Sequence, residues 1–492
     1  MILRRVLLLA LLASSACGGR PTPVPSPPLA RPSPPASASA PDWRANKPPP
    51  GEPAAIVYPA PEIAKLKNGL SLYVVRRPAQ VVSLSVVVGH GASDVPAGKS
   101  GLAALTARML TEGTKQKTSL QVAEAAESLG STLEADAERD SSVVSLLVLR
   151  EDAAKGLALL SEVVQTPAFS PKELERVRRE WLDQLTAERQ DPKRLAPLAG
   201  FRLLLGPIQG APVGGGTSDV KKLSVRDLVA FHRRCYVPSS AAVVAVGDVT
   251  LAGIQTEVDK LFGGWRGAAK SPPPSFEPPA TAAARHFVMV DRPGAVQSAL
   301  FAAQPFPARK AEGHEAREVM SAMLGGLFTS RINDNLREQH AYTYGARSSA
   351  VATRLWGAFL VMTSVKTEVT APALDELLRE LTLAQSGAKP FADDELARAR
   401  ADLVNALGAH LEETSNVADD AADLFVHELP PDYYASYPNV IRGITREIVA
   451  PQAARLTPDR VLIVVVGDRS KIEADFTKRG WKLEPAAPAL LD

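Results

Sequence analysis

Cysteine is nearly absent: 492 residues hold only Cys17 and Cys235. A disulfide-stapled scaffold is therefore excluded, and Cys235 in "FHRRCYVP" reads as a small buried side chain. Net charge is also scarce. The formal value of +2 gives no strong pull toward nucleic acid or an anionic membrane. The interleaved Arg176, Arg178 and Arg179 read as one solvated helix face. Histidine is thin, at seven residues. "HEAR" at 314–317 has no second histidine, and "HELPP" at 427–431 runs into proline. No Ser–His–Asp or Cys–His arrangement stands out either, which argues against a nucleophilic hydrolase.

Long apolar runs are missing as well. The run Val6–Ala13 is too short to span a bilayer. Arg4 and Arg5 precede it, and "SSAC" follows it and ends at Cys17. A basic start, a short apolar segment and small residues describe a secretory signal over 1–16. The end resembles a bacterial lipobox, with Ser14 where leucine is usual, so Cys17 is the expected lipidation site. The expected location is periplasmic, or anchored to the outer membrane as a lipoprotein; ordinary cleavage to a soluble periplasmic protein is the alternative. Residues 17–54 hold the Pro/Ser/Ala-rich "RPTPVPSPPLARPSPPASASAPDW", which makes no core and reads as a linker.

The remainder is a repeat. "FSPKELERVRREWLDQL" and "FADDELARARADLVNAL" begin 222 residues apart, at Phe169 and Phe391. "AVVAVGDVT" and "LIVVVGDRS" place Gly247 and Gly467 220 apart, and "VVRRPAQVVS" and "MVDRPGAVQS" place Pro78 and Pro293 215 apart. Two homologous domains follow, 55–270 and 283–490, joined by a Pro-rich linker at 271–282. Val-rich "VSLSVVV" (82–88), "SSVVSLLVL" (141–149) and "AAVVAVG" (241–247) read as strands. Residues 171–190 read as a helix capped by Ser170, with Pro171 first, Glu173 closing a capping box, and Leu174, Val177, Trp181 and Leu185 as its buried stripe. The fold class is α+β, with helices laid on a sheet in each domain.

The repeat, "DRPGAVQS" (291–298) and the strand-final "VGD" pairs resemble the insulinase/pitrilysin family of metallopeptidases, notably its two-domain bacterial members and the mitochondrial processing peptidase subunits. The resemblance implies a zinc helix carrying H-x-x-E-H, whose two histidines share one face while the glutamate activates water. "GLAALTARMLTEGT" (101–114) fits that frame with its ligands missing. Ala104 and Arg108 stand at the histidines, and Ala107 at the glutamate. The last ligand position, 76 residues on, is Gln184, expected to point with the buried stripe of its helix. Alanine has no donor, and arginine is permanently charged with no free lone pair. No metal is expected in this chain. Arg108 is expected to replace the zinc charge and pair with Glu180; a plain surface arginine is the alternative.

The second domain keeps a different signature. In "SRINDNLREQHAYTYGARSS" (330–349), Arg337 and Tyr344 hold the seven-residue spacing of a family pair that faces the zinc, although "HAY" stands where Gly-Leu is usual. The resemblance implies that the pair holds substrate backbone and stabilises an oxyanion. It further implies peptide addition at a sheet edge near "LEADAERDSS" (133–142), where Glu134 and Ala137 replace the usual Asn and Thr. "GPIQGAPVGGGTSD" (206–219) reads as a plain glycine-rich loop; the alternative that the resemblance implies is a substrate-contacting loop, as in some non-catalytic processing-peptidase subunits. The expectation is a non-catalytic subunit that lends Arg337, Tyr344 and half a chamber to a homologous partner with intact H-x-x-E-H, acting on unstructured peptides. A scaffold with no role in proteolysis is the alternative.

Overall fold

The computed structural model describes residues 56–267, 276–277, 279 and 283–492. The signal segment, Cys17 and the linker to residue 54 lie outside the described residues, as does most of the joining segment. Two six-stranded sheets organise the body. The first contains β1 (Glu62–Lys65), β2 (Ser71–Arg76), β3 (Val81–Val88), β4 (Glu134–Ala137), β5 (Ser142–Leu149) and β6 (Ala241–Gly247). Its strand order is β1-β2-β6-β3-β5-β4. The second contains β7 (His286–Asp291), β8 (Gln297–Phe306), β9 (Thr343–Ala352), β10 (Gly357–Lys366), β11 (Leu462–Gly467) and β12 (Leu483–Pro485), in the order β12-β7-β11-β8-β10-β9. From the second strand in each order onward, the two orders correspond element by element, which is the repeat in three dimensions. They differ at one rim: β1 runs antiparallel to β2, whereas β12 runs parallel to β7.

Local sequence explains the strands. β6, "AAVVAVG", is buried along its whole length because both of its faces are covered, so it needs no polar alternation. β5 alternates between buried and more exposed positions, with one side on the core. One face of the first sheet carries α1 (Leu102–Leu110), α2 (Ala153–Gln165), α3 (Pro171–Glu188) and, later in the chain, α5 (Val225–Cys235) over a single apolar core. Cys235 is buried in that core, and burial pushes its thiol up to about 11. The helix between, α4 (Pro192–Gln209), belongs to the first repeat but packs on the second sheet. There it lies so close to β8 that a Cβ on Gly200 would stand 2.2 Å from the Phe301 ring. In return α6 (Thr414–Val426), of the second repeat, covers the outer face of the first sheet through Val417, Ala418 and Ala421 against Val87, Val244 and Val246.

A charged clamp adds to this exchange. Arg354, in the turn between β9 and β10, donates to the Gly89 carbonyl at 2.9 Å and to Asp94 at 3.2 Å. Its backbone N–H reaches Asp140 at 2.7 Å. Asp94 also holds His90 and the Gly91 N–H, and Asp140 accepts from Ser93. Among the described residues no helix is long and apolar enough to cross a membrane.

Candidate functional site

Helix α1 begins at Gly101, whose φ of 86° suits glycine alone. A Cβ there would also meet the Gly214 carbonyl at 2.8 Å. The glycine-rich stretch is therefore more than a connection. Gly215, at φ 86°, sits against Ser100, where a Cβ would come within 2.5 Å of the carbonyl oxygen. The Trp181 indole N–H donates to the Gly214 carbonyl at 2.8 Å. The loop thus braces the start of α1 and the middle of α3 together.

On α1, Ala104 and Ala107 are buried, Ala107 with 0% exposure. They pack in the apolar core instead of lining an open site. Arg108 is half-buried, and its guanidinium carbon lies 4.9 Å from the centroid of the Trp181 ring. It does not pair with Glu180. Glu180 is held by Arg176, four residues earlier on the same helix, at 3.0 and 3.2 Å. The i, i+4 geometry gives Arg176 prior reach, and the α1 cation meets the aromatic face. Arg176 also bonds Glu173 at 2.8 Å and Glu112 at the end of α1.

Three further expectations for α3 are corrected. Gln184 is exposed and donates to Glu188 at 3.2 Å. Its azimuth matches Val177, but packing on that face ends with Trp181 and Leu185. Ser170 makes no side-chain cap, and no capping box forms; the Glu173 carboxylate accepts from Arg176 instead. Arg178 is buried and not part of a solvated face; it donates to the carbonyls of Val220 and Leu223 at 2.6 Å each. These carbonyls lie at the end of the short helix Thr217–Val220 and just beyond it, partners invisible in local patterning.

The four vacated positions therefore do not fit zinc. Two are buried alanines, one is a cation stacked on tryptophan, and one is an exposed amide. Among the described residues, no group of three or more His, Cys, Asp or Glu side chains is placed to hold a metal ion.

The second repeat carries the other candidate pair, and only its tyrosine points outward. Tyr344 is the second residue of β9 and is 93% exposed. Pairing of β10 with β9 shifts between Thr363 and Val365, so Tyr344 and Gly345 face Ser364 alone. This bulge re-aims the tyrosine away from the regular pleat. Asn333 fixes its height: it accepts from the Ala346 N–H at 2.7 Å and donates to the Ala346 carbonyl at 2.9 Å. Arg337 lies on the wide π-helical turn Asp334–Gln339, just before β9. Its Nε donates to Glu338 at 2.7 Å, and Phe328 lies over the guanidinium with 3.1 Å to the ring centroid. Phe328 itself is 72% exposed. Between the pair, Ala341 takes φ 52°, in the position where the "HAY" variant replaces glycine. β4 and β9 each pair on one side only, so both sheets keep a free edge.

Trp181 and Phe328 were not singled out as site residues in the sequence. Trp181 was visible only as part of an apolar stripe, and Phe328 carried no periodic signal.

Residues 72–198 match the insulinase (peptidase family M16) model, and residues 222–403 match the peptidase M16 inactive domain. An uncharacterized zinc protease of Mycobacterium tuberculosis (strain ATCC 25618 / H37Rv) is 26% identical over 350 residues, covering 69% of this chain and 79% of that protein. A non-peptidase homolog of Helicobacter pylori (strain ATCC 700392 / 26695) is 24% identical over 279 residues, covering 56% of this chain and 63% of that protein. The crystal structure of a peptidase M16 inactive domain from Pseudomonas fluorescens superposes with a TM-score of 0.76 at 23% identity, over 83% of this chain and 98% of that one. The two models together span more than half of the chain, which belongs to peptidase family M16, the insulinase family.

Proposed function

We propose that this chain is the non-catalytic subunit of an exported, two-chain zinc peptidase, anchored through a lipid on Cys17. Its partner is a homologous subunit with intact H-x-x-E-H, and its substrates are unstructured peptides. One observation carries the reading: the zinc-frame positions Ala104, Ala107 and Arg108 offer no metal donor, while the second repeat presents Tyr344 outward on a bulge, seven residues after Arg337. Neutral decay of one ancestral site would have no reason to spare this pair alone. In trans, the phenol and guanidinium would face the oxyanion of a substrate held at the partner's zinc.

The test is co-purification from the native host, metal analysis and peptide cleavage. The pair should cleave unstructured peptides in a chelator-sensitive way, and this chain alone should cleave nothing. Arg337→Ala and Tyr344→Phe should each lower kcat of the pair by about 10²-fold, the scale of a lost oxyanion donor. Unchanged rates in both variants would reject the trans site.

A second reading, a scaffold without a role in proteolysis, has its own support. The Arg337 guanidinium is already engaged by Glu338 and Phe328. A stable complex with no zinc-bearing homologue would favour it.

A further inference from the structure

A pocket of about 250 Å3 opens beside Tyr344. It is bounded by Lys193 and Ala196 of α4, Ala299 of β8, Tyr344, and Met362 and Ser364 of β10. Its origin is geometric. The helix exchanged from the first repeat begins only at Pro192, so it leaves the end of the second sheet uncovered where the bulge lies. The volume equals roughly eight waters at ~30 Å3 each, enough for one extended side chain. The floor is mixed: Ala196, Ala299 and Met362 offer methylene-sized contacts, and Ser364 offers a hydroxyl.

Charge decides what fits. Lys193 is exposed, and among the described residues no carboxylate pairs with its ammonium group. The neighbouring acids are occupied. Asp191 accepts from the backbone N–H of Lys193 at 2.9 Å, and Glu188 is bridged to Arg194 at 3.8 Å. A cation without a partner, at the rim of a pocket whose mixed floor includes Ala196, Ala299 and Met362, suits an aliphatic stem ending in a carboxylate.

We propose that this pocket is a specificity subsite that receives an acidic side chain, glutamate or aspartate, of the bound peptide, with Lys193 as counter-charge. The proposal rests on the reading that Tyr344 faces the peptide. The position of Tyr344 at the start of an edge strand lets an extended chain pass the pocket mouth without displacing any strand.

The experiment uses the full chain and fluorescent unstructured peptides that differ only in one central residue: Glu, Gln or Lys. Fluorescence anisotropy should rank them Glu, Gln, Lys, with Glu bound about two- to fivefold tighter than Gln at low salt, and the gap narrowing as salt rises. Lys193→Met should erase the ranking and Lys193→Glu should reverse it, while the remote Lys482→Met should change nothing. A Glu-to-Gln ratio untouched by Lys193→Glu, or failure of all three peptides to bind, overturns the proposal. The two readings separate cleanly. If Lys193→Glu reverses the ranking while Arg337→Ala and Tyr344→Phe leave the pair's cleavage intact, only the trans-site reading falls. If those two variants slow cleavage while the ranking ignores Lys193, only the subsite falls.

Discussion

Replacing Arg108 by methionine keeps the apolar stem and removes the charge over Trp181. The tie between α1 and α3 is the Arg108–Trp181 stack at 4.9 Å, together with the Arg176–Glu112 pair. The stack lies inside the ~6 Å range in which a guanidinium feels the ring quadrupole, and a half-exposed pair of this kind contributes about 0.5–1 kcal/mol. That corresponds to a two- to fivefold change in a local opening equilibrium. Hydrogen exchange of amides in 102–110 and 171–188 reads this directly, without requiring the whole body to unfold as one unit. A double-mutant cycle of Arg108→Met and Trp181→Leu should return a coupling of that size, since each single change also loses packing of its own. A chelator should leave the same amides unaffected. Zero coupling, or faster exchange on adding chelator, would refute the view that side chains make this joint.

Three other outcomes follow. Ala341→Gly should stabilise the turn before Tyr344 by roughly 0.5–1 kcal/mol, because relief of about 1–2 kcal/mol of left-handed strain exceeds the extra backbone entropy lost; urea midpoints or local exchange will measure it. Arg354→Met should cost about 2 kcal/mol or more, below the ~3–5 expected for a fully buried pair because His90 and Ser93 still serve the two carboxylates; faster exchange at 89–94 and 138–142 will register it. His232 is buried, and burial pulls its pKa from the ordinary 6.5 to about 4, so the folded state refuses a proton that the unfolded chain accepts. Stability should therefore fall by about 3 kcal/mol as pH drops from about 6.5 to about 4, and His232→Gln should flatten that slope in urea titrations at stepped pH.

The strands and the repeat were legible because the Val-rich runs and the Pro-Gly markers are local signals. β6 could be read from its composition, since a strand covered on both faces shows no alternation. What each helix packs against was not legible. The apolar face of residues 414–426 says that it is buried, but not that the covering sheet belongs to the other repeat. The same limit explains α3. Val177 and Gln184 share an azimuth, yet one is buried and the other exposed, because burial depends on how far the neighbouring elements extend. Arg178 was misread for a related reason: its partners are carbonyls more than 40 residues away. The emptied zinc frame, by contrast, came from the family resemblance of residues 101–114, within which residue chemistry excludes alanine as a ligand.

The reciprocal exchange of α4 and α6 has a consequence for how this molecule is made. Each sheet is sealed by a helix encoded in the other repeat, so neither repeat is a self-sufficient folding unit. During synthesis the strands of the first sheet are complete by residue 247, but its outer face waits for residues 414–426. Until then Val87, Val244 and Val246 are open to solvent and to other chains. In form, the body is a domain-swapped dimer whose two protomers have become one polypeptide.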